Sequence, residues 1–287
     1  MSQEATLPAE LSALAAKLEG EGQYNLGKLL RAAGASLTWE VAYQQPVPAE
    51  REALVEAVAQ ARDRLASIGA SQGLLSALTQ GAAALADGRL PLIHETPDPY
   101  VCRTCGYLLL SPPVEPCPRC QAQPATFRHY VPMYWLEALD PFEALTALRE
   151  TPDRVANLLQ DAPDTVNGTD SDGQWGVRQL MAHLYDAETL LHERIRRLLA
   201  EDNPSLSSAA TFELATQEAQ RPPTTQAILT AYRRSRQETL NHLEALPLSD
   251  WWRAGRHEEF GTVTVGQQAS YFAVHEITHL TQLERLR

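Results

Sequence analysis

The stretch that most limits what this chain can fold into is His275-Glu276-Ile277-Thr278-His279, inside an apolar-patterned run from Val265 to Leu286. Residues four apart on an α-helix share a face and lie about 6 Å apart along the axis. The two imidazoles are therefore half of a site for a divalent metal. Tyr271, Phe272 and Gln282 fall on the same face, which is expected to look inward. A metal needs a further ligand from another element, and the best candidate is His183, in Leu180-Met181-Ala182-His183-Leu184 on an earlier amphipathic segment. Both segments open with helix-start signals: Thr264 with Gln267 reads as a capping box, and Gly176 with Gln179 as a weaker version. The pattern predicts a helical bundle in which His183, His275 and His279 converge on one ion.

The chain has eight histidines, and a lone helix histidine is more often a packed or surface residue than a ligand. His192, nine residues beyond His183 and on the opposite helical face, is expected at the surface. His242 is placed as a partner of a helix C-terminus, and His257 as a surface loop residue. His94 and His129 flank a cysteine-bearing segment that needs no ligand from them. Asp186, three residues after His183, is either a partner for an imidazole N–H or else a solvated carboxylate or half of a pair along its own helix. Trp175, Trp251 and Trp252 are expected to be core anchors first and pocket walls second.

At 287 residues the chain is long enough for two domains. Its net charge is −12. Neither half is basic, which argues against nucleic acid or an anionic membrane as partner. No N-terminal run has the pattern of a signal peptide, and no apolar run approaches the length of a membrane span. The four cysteines fall as two CxxC pairs, Cys102 with Cys105 and Cys117 with Cys120. That spacing reads as metal binding in a reducing cytoplasm rather than as two disulfides. Four thiolates close a tetrahedral shell, so the site is structural or electron-transferring and not hydrolytic. Zinc and iron both accept four thiolates.

Upstream of the cysteines, residues 7 to 45 read as helix, with Leu7, Leu11, Leu14 and Leu18 and then Leu26, Leu29, Leu30, Leu37 and Val41 at helical spacing. Gly20-Glu21-Gly22 interrupts the run and Gln45-Pro46-Val47-Pro48 ends it. Helices are predicted over Ala49–Ser67 and Gln72–Ala86, the second stopping at Asp87-Gly88, and residues 91–100 read as a linker. Such a region is expected to be a small helical bundle or hairpin without chemistry.

The segments Tyr100-Val101-Cys102-Arg103-Thr104-Cys105-Gly106-Tyr107 and Cys117-Pro118-Arg119-Cys120, with Phe127, resemble the rubredoxin-like module of rubrerythrin. Glu21-Gly22-Gln23-Tyr24-Asn25-Leu26-Gly27-Lys28-Leu29-Leu30-Arg31-Ala32 looks like a helix of its ferritin-like bundle. The Glu-x-x-His pair that serves the di-iron centre there has Leu37 and Glu40 at the matching positions here, and no Glu-x-x-His occurs in residues 1–90. Di-iron chemistry is therefore not implied, and the helices read as a remnant scaffold. Gln121 stands where a Gly often follows the second cysteine turn, which leaves zinc and iron both open.

Residues 121–139 join the halves. Asp140-Pro141-Phe142-Glu143 starts a helix, and Thr151-Pro152-Asp153 repeats the signal, so a break is expected at Thr151. A loop at Asn167–Gln174 precedes the His183 helix, about Val177–Glu201. An irregular stretch, Asp202–Pro223, leads to a helix at about Thr225–Leu246. Pro247–Thr262 is read as a loop before the last helix. Trp175-Gly176-Val177-Arg178-Gln179-Leu180-Met181-Ala182-His183-Leu184 with Asp186-Ala187-Glu188, and Gly261-Thr262-Val263-Thr264-Val265-Gly266 leading to His275–Leu283, resemble the DinB-like (YfiT-like) superfamily. The resemblance implies a four-helix bundle with one long crossover. It implies a divalent metal such as zinc or nickel on His183, His275 and His279, and iron is a further candidate there. It also implies a reaction like that of the superfamily's thiol S-transferases and isomerases. Relatives are commonly dimers, so a homodimer is expected.

The expected fold is mainly α. It has a helical, degenerate rubrerythrin-like domain at residues 1–95 and a rubredoxin-like or zinc-ribbon four-cysteine module at 96–130. A DinB-like four-helix bundle follows at 131–287. The leading functional reading is a metal-dependent thiol S-transferase or hydrolase acting on a small molecule, with a low-molecular-weight thiol as partner. The rivals are a redox or electron-transfer protein with iron at the four cysteines, and a non-catalytic metal-stabilised scaffold.

Overall fold

In the computed structural model the described residues are 3–160, 175–208, 222 and 224–286, and they are mainly helical. Contacts divide the chain into two units, Met1–Pro91 with Glu95–His129, and Leu92–His94 with Tyr130–Arg287. No helix among the described residues is long and apolar enough to cross a membrane.

The first unit contains two helical hairpins and a small sheet. In the first hairpin, α1 (Gln3–Gly20) and α2 (Tyr24–Tyr43) meet through small residues. A Cβ on Gly34 would lie 3.2 Å from the Pro8 carbonyl oxygen, so the absence of a side chain sets how closely the helices approach. Arg31 crosses the contact to Glu19 with two bonds of 2.7 and 2.6 Å. The second hairpin pairs α3 (Arg51–Ser67) with α4 (Gln72–Ala86), whose first turn is capped by Ser71. The strands β1 (Tyr100–Cys102), β2 (Leu108–Leu109) and β3 (Phe127–His129) form an antiparallel sheet in the order β2-β1-β3.

The second unit is a four-helix bundle with a sheet against one end. Asp140 caps α5 (Pro141–Gln160) by accepting from the N–H groups of Phe142 and Glu143, while Glu143 returns a bond to the Asp140 N–H. The expected break at Thr151 does not occur, and α5 runs through Pro152. A proline inside a helix leaves the carbonyl four residues earlier without its N–H partner. Here that carbonyl belongs to Leu148, and the buried guanidinium of Arg236 donates to it at 2.8 Å. The other bundle helices are α6 (Val177–Ala200), α7 (Thr225–Glu244) and α8 (Val265–Arg285). Here α5 packs on α7 and α8, and α6 packs on the same two, so helices consecutive in sequence, α5 with α6 and α7 with α8, stand diagonally. One apolar cluster includes Leu148, Leu191, Ile195, Trp251, Val263 and Phe272. A second, toward the other end, includes Leu180, Leu184, Tyr232 and Leu280.

The stretch expected as a loop, Pro247–Thr262, is mostly ordered. It holds a 3₁₀ turn (Leu248–Trp252), β5 (Ala254–His257) and the start of β6 (Gly261–Thr264). β5 pairs antiparallel with β6 and parallel with β4 (Ser205–Leu206), which lies in the stretch expected to be irregular. Short strands of four or fewer residues have too little alternation to stand out from a loop. The loop at Asn167–Gln174, and residues 209–221 and 223 of the expected crossover, lie outside the described residues.

Candidate metal centres

The four cysteines sit on two turns of like geometry. In each, the residue after the second cysteine has left-handed backbone, Gly106 at φ +74° and Gln121 at φ +60°. Each also returns its N–H to the carbonyl of the first cysteine at 2.8 Å. Glycine takes that conformation freely, whereas a side chain there costs roughly 1–2 kcal/mol. Gln121 is therefore held by its surroundings rather than by preference. The four Sγ atoms lie within 4.8 Å of one another, with Cys102–Cys120 and Cys105–Cys117 each at 3.7 Å. A disulfide would bring sulfurs to about 2.05 Å, and the cysteines are free. A tetrahedron with metal–sulfur arms of about 2.3 Å has edges of about 3.8 Å, which matches. Burial works against the Cys102 thiolate, but the N–H groups of Cys105 and Thr104 aimed at it outweigh that and lower its pKa to about 6. The Ala122 N–H favours the Cys120 thiolate, yet burial and the three neighbouring sulfurs push it up to about 12. Four negative sulfurs cannot share this space without a cation among them. His129 turns instead to Asp98 at 3.0 Å and stacks on Tyr100, and neither it nor His94 joins the four-cysteine group.

The three histidines come together from α6 and α8. Thr264 and Gln267 form the expected reciprocal capping box at the start of α8, with bonds of 3.1 and 3.0 Å. Gly176 takes the single bond that a residue without a side chain allows, from its N–H to Gln179. His183 Nε2 and His279 Nε2 each lie 3.0 Å from His275 Nε2, and the three ligand atoms are mutually within 4.8 Å. Tetrahedral arms of about 2.0–2.1 Å would set nitrogens about 3.3 Å apart, so a small closing or opening of the rings seats an ion. His279 Nδ1 is 2.7 Å from Gln282 Oε1. The amide oxygen accepts only, so the ring proton sits on Nδ1 and the Nε2 lone pair faces its two neighbours. Burial, with the two other imidazoles beside it, lowers the His275 pKa to about 3 and keeps that ring neutral. Its Nδ1 is buried and has no partner among the described residues. Three convergent Nε2 atoms are a donor set suited to a divalent cation.

A buried ion cluster anchors α8 on a neighbouring face of the helix. Glu276 follows His275 and points about 100° round the helix. It pairs with Arg236, which also holds Glu188 through Nε at 2.7 Å. All three residues are buried. Thr239 donates to Glu188 at 2.5 Å and faces His192 Nδ1 at 3.1 Å. Burial raises the Glu188 pKa, against the pull of Arg236.

The surrounding walls are aromatic. Trp175 is 46% exposed and lies over two of the histidines, 4.9 Å from His183 and nearly parallel to His279 at 6.4 Å. Its expected core role is thus replaced by a place at the site. Tyr271 lies nearly parallel to His275 with ring centres 6.1 Å apart, and Trp135 is edge-on to it at 6.1 Å. Trp135 belongs to the joining stretch, where no periodicity marks a wall, so sequence reasoning missed it. Trp251 is buried in the core as expected, and Trp252 is exposed.

Several placements change. Asp186 is buried, which removes the solvated alternative. His192 is half-buried and bonded rather than free at the surface. His257 is buried on β5, because the sheet presses it under Arg194, whose Nη2 is 2.9 Å from its Nε2. Burial first, and the Arg194 charge second, lower its pKa to about 4. His242 is exposed in the last turn of α7, as expected.

Residues 147–283 match the family profile described as the DinB superfamily. A search of the curated proteins finds no match. A similar solved structure is described as "YfiT from Bacillus subtilis is a probable metal-dependent hydrolase with an unusual four-helix bundle topology". It is 20% identical, with a TM-score of 0.47, and the alignment covers 55% of this chain and 91% of that chain.

Proposed function

We propose that the DinB-like region is a metal-dependent enzyme in which His183, His275 and His279 hold one divalent ion, zinc, nickel or iron. Such a site would serve attack by water or a low-molecular-weight thiol on a small-molecule substrate. The observation that carries this reading is the meeting of three Nε2 atoms, from helices distant in sequence, among half-buried histidines with aromatic neighbours. A divalent ion held by three imidazoles keeps a coordination position open and lowers the pKa of a water or thiol placed there. Gln282 fixes the tautomer of His279. Burial keeps His275 neutral and ready as a donor. Trp175, Trp135 and Tyr271, whose rings lie beside the histidines, would offer flat apolar surface to a substrate. Arg236, by gripping Glu276, holds α8 at the rotation that presents both of its histidines.

The four-cysteine group we read as a separate, closed metal site, with zinc or iron tying its two turns together. Redox use is favoured by one feature: Cys105 and Cys120 are only half-buried, which gives an electron a short path to a partner.

The test is metal analysis of protein purified without a metal-affinity column, followed by assays of ester and amide hydrolysis and of thiol conjugation. Two metals per chain are expected. His183→Ala should lose one of them together with the activity, and the four-cysteine metal should remain. Visible absorption of the oxidised protein marks iron at the cysteines, and its absence marks zinc. Full activity in His183→Ala would overturn the enzymatic reading. A metal-loaded protein with no turnover and no small-molecule binding would leave a scaffold.

A further inference from the structure

Further along the seam between α6 and α8 lies a second group of buried polar side chains. His183 and Arg194 on α6 are eleven residues apart, and so are Gln268 and His279 on α8. That separation is about three helical turns, so each pair shares one helix face. Arg194 is 4% exposed and Gln268 is fully buried. Arg194 donates from Nη1 to Gln268 Oε1 at 2.9 Å and from Nη2 to the Ser207 carbonyl at 2.6 Å. Its Nε, and the Gln268 Nε2, are buried and have no partner among the described residues. No carboxylate among the described residues bonds the guanidinium. Glu258 and Glu259 are near enough to feel its charge, but their carboxylates bond Ser208 instead.

This group has more donors than acceptors. His257 Nδ1 accepts from the N–H groups of Glu259 and Phe260, both at 3.2 Å. The neutral ring then carries its proton on Nε2. That nitrogen faces Arg194 Nη2 at 2.9 Å, so a donor meets a donor. The other tautomer only moves the conflict to Nδ1. Burial lowers the Arg194 pKa to about 10, and a buried charge without a bonded counter-charge is costly. A trapped water could accept from these N–H groups but would not neutralise the charge. An anion does both. A carboxylate suits the position, because its two oxygens can take the Arg194 Nε–H and a Gln268 Nε2–H from side chains already joined at 2.9 Å. The aromatic pair Tyr271 and Phe272 links this group to the histidines. The Arg194 guanidinium carbon is 5.8 Å from the centre of the Phe272 ring, and that ring is 6.4 Å from His275. Half-buried Tyr271 feels the Arg194 charge and lies nearly parallel to His275.

We infer that Arg194 and Gln268 hold the carboxylate of a small organic acid, and that such an acid is the substrate class of the metal site, its reacting end at the three histidines. The second half of this rests on the metal-dependent reading above, and the first half does not. The probe is benzoate, with benzamide as its uncharged counterpart, titrated calorimetrically into the full metal-loaded chain. Benzoate should bind about tenfold more tightly or better. His279→Ala should keep that preference, which separates Arg194 from the ion as the group that takes the carboxylate. Arg194→Met should abolish it. Gln268→Glu guards against a mere folding defect. It sets an internal carboxylate of the same shape against Arg194, so it should raise the melting temperature by about 2–4 °C or more and lose benzoate binding. In turnover, a substrate with a free carboxylate should exceed its methyl ester about 100-fold in kcat/KM, and Gln268→Glu should remove that preference. Benzoate bound no better than benzamide would overturn the carboxylate site. So would binding that survives Gln268→Glu in the His279→Ala background, or a Gln268→Glu protein that melts below the parent. Turnover that needs His183 but ignores the substrate's carboxylate would overturn the substrate class and leave the enzymatic reading standing. Benzoate binding lost in Gln268→Glu, with no turnover of any substrate, would uphold the carboxylate site and sink the enzymatic reading.

Discussion

The two metal-type sites of this protein are built in opposite ways. The four cysteines come from one short stretch, Cys102 and Cys120 being 18 residues apart, and they stand on turns beside a small three-stranded sheet. His183 and His275 are 92 residues apart and stand on long helices whose other faces are packed into a continuous core. A site made of turns has little apolar surface of its own, so its ion takes the place of a core. A site made of helices is assembled by the core before any ion arrives. The first should depend on its metal for structure, and the second only for chemistry.

Breaking the cysteine site is the severest test of this contrast. Cys102→Ser should lose the metal and with it the amide protection of residues 100–129, because the binding energy of such a site, roughly 10–16 kcal/mol in small zinc modules, is folding energy. Hydrogen exchange measures it, and a module that stays protected without metal would remove the distinction. The matching change in the bundle is His279→Ala. It should abolish metal binding at that site and any activity, while the melting curve of chelated protein moves by less than about 1 kcal/mol, as for other partly exposed side chains. A collapse of the chelated bundle would mean that the histidines are structural after all.

Arg236→Met sharpens the comparison from the side of the core. It leaves Glu188 and Glu276 buried without their cation and the Leu148 carbonyl without its donor. Removing one partner of a buried ion cluster costs about 3–5 kcal/mol. Denaturant unfolding should show that loss, and metal affinity should fall too as α8 loosens. A variant as stable as the parent would show that packing alone sets the helix.

The smallest effect is one of pH. The His257 pKa, about 4 when folded, lies below its ordinary value of 6.5. Between these values the unfolded chain takes up a proton that the folded one refuses, so stability falls as pH drops from about 6.5 to 4 and levels off below. His275, lowered to about 3, adds to the same trend in metal-free protein. His257→Gln should flatten the dependence of melting temperature on pH in chelated protein. An unchanged slope would show that His257 titrates normally.

Much of this was legible along the chain because it is local. A CxxC turn is four residues long, an i, i+4 histidine pair needs only a helix, and the Asp140 and Thr264 caps are each set within four residues. The short strands and the burial of His257 were not legible, since four residues carry no reliable period. Proline 152 misled for a related reason: its local signal is a helix start, and the donor that lets α5 continue comes from α7.

The sequence by itself determined where most of the helices lie, and which four sulfurs and which three imidazoles are candidates for metals. Only the tertiary structure decided that α6 and α8 are neighbours while consecutive helices stand diagonally. It also decided that Trp175, Trp135 and Tyr271 wall the histidines, and that one buried arginine ties α5, α6 and α8 to α7. The reason is physical. Periodicity records which face of an element is apolar, whereas the partner of that face is chosen by packing and charge summed over residues far apart in the chain.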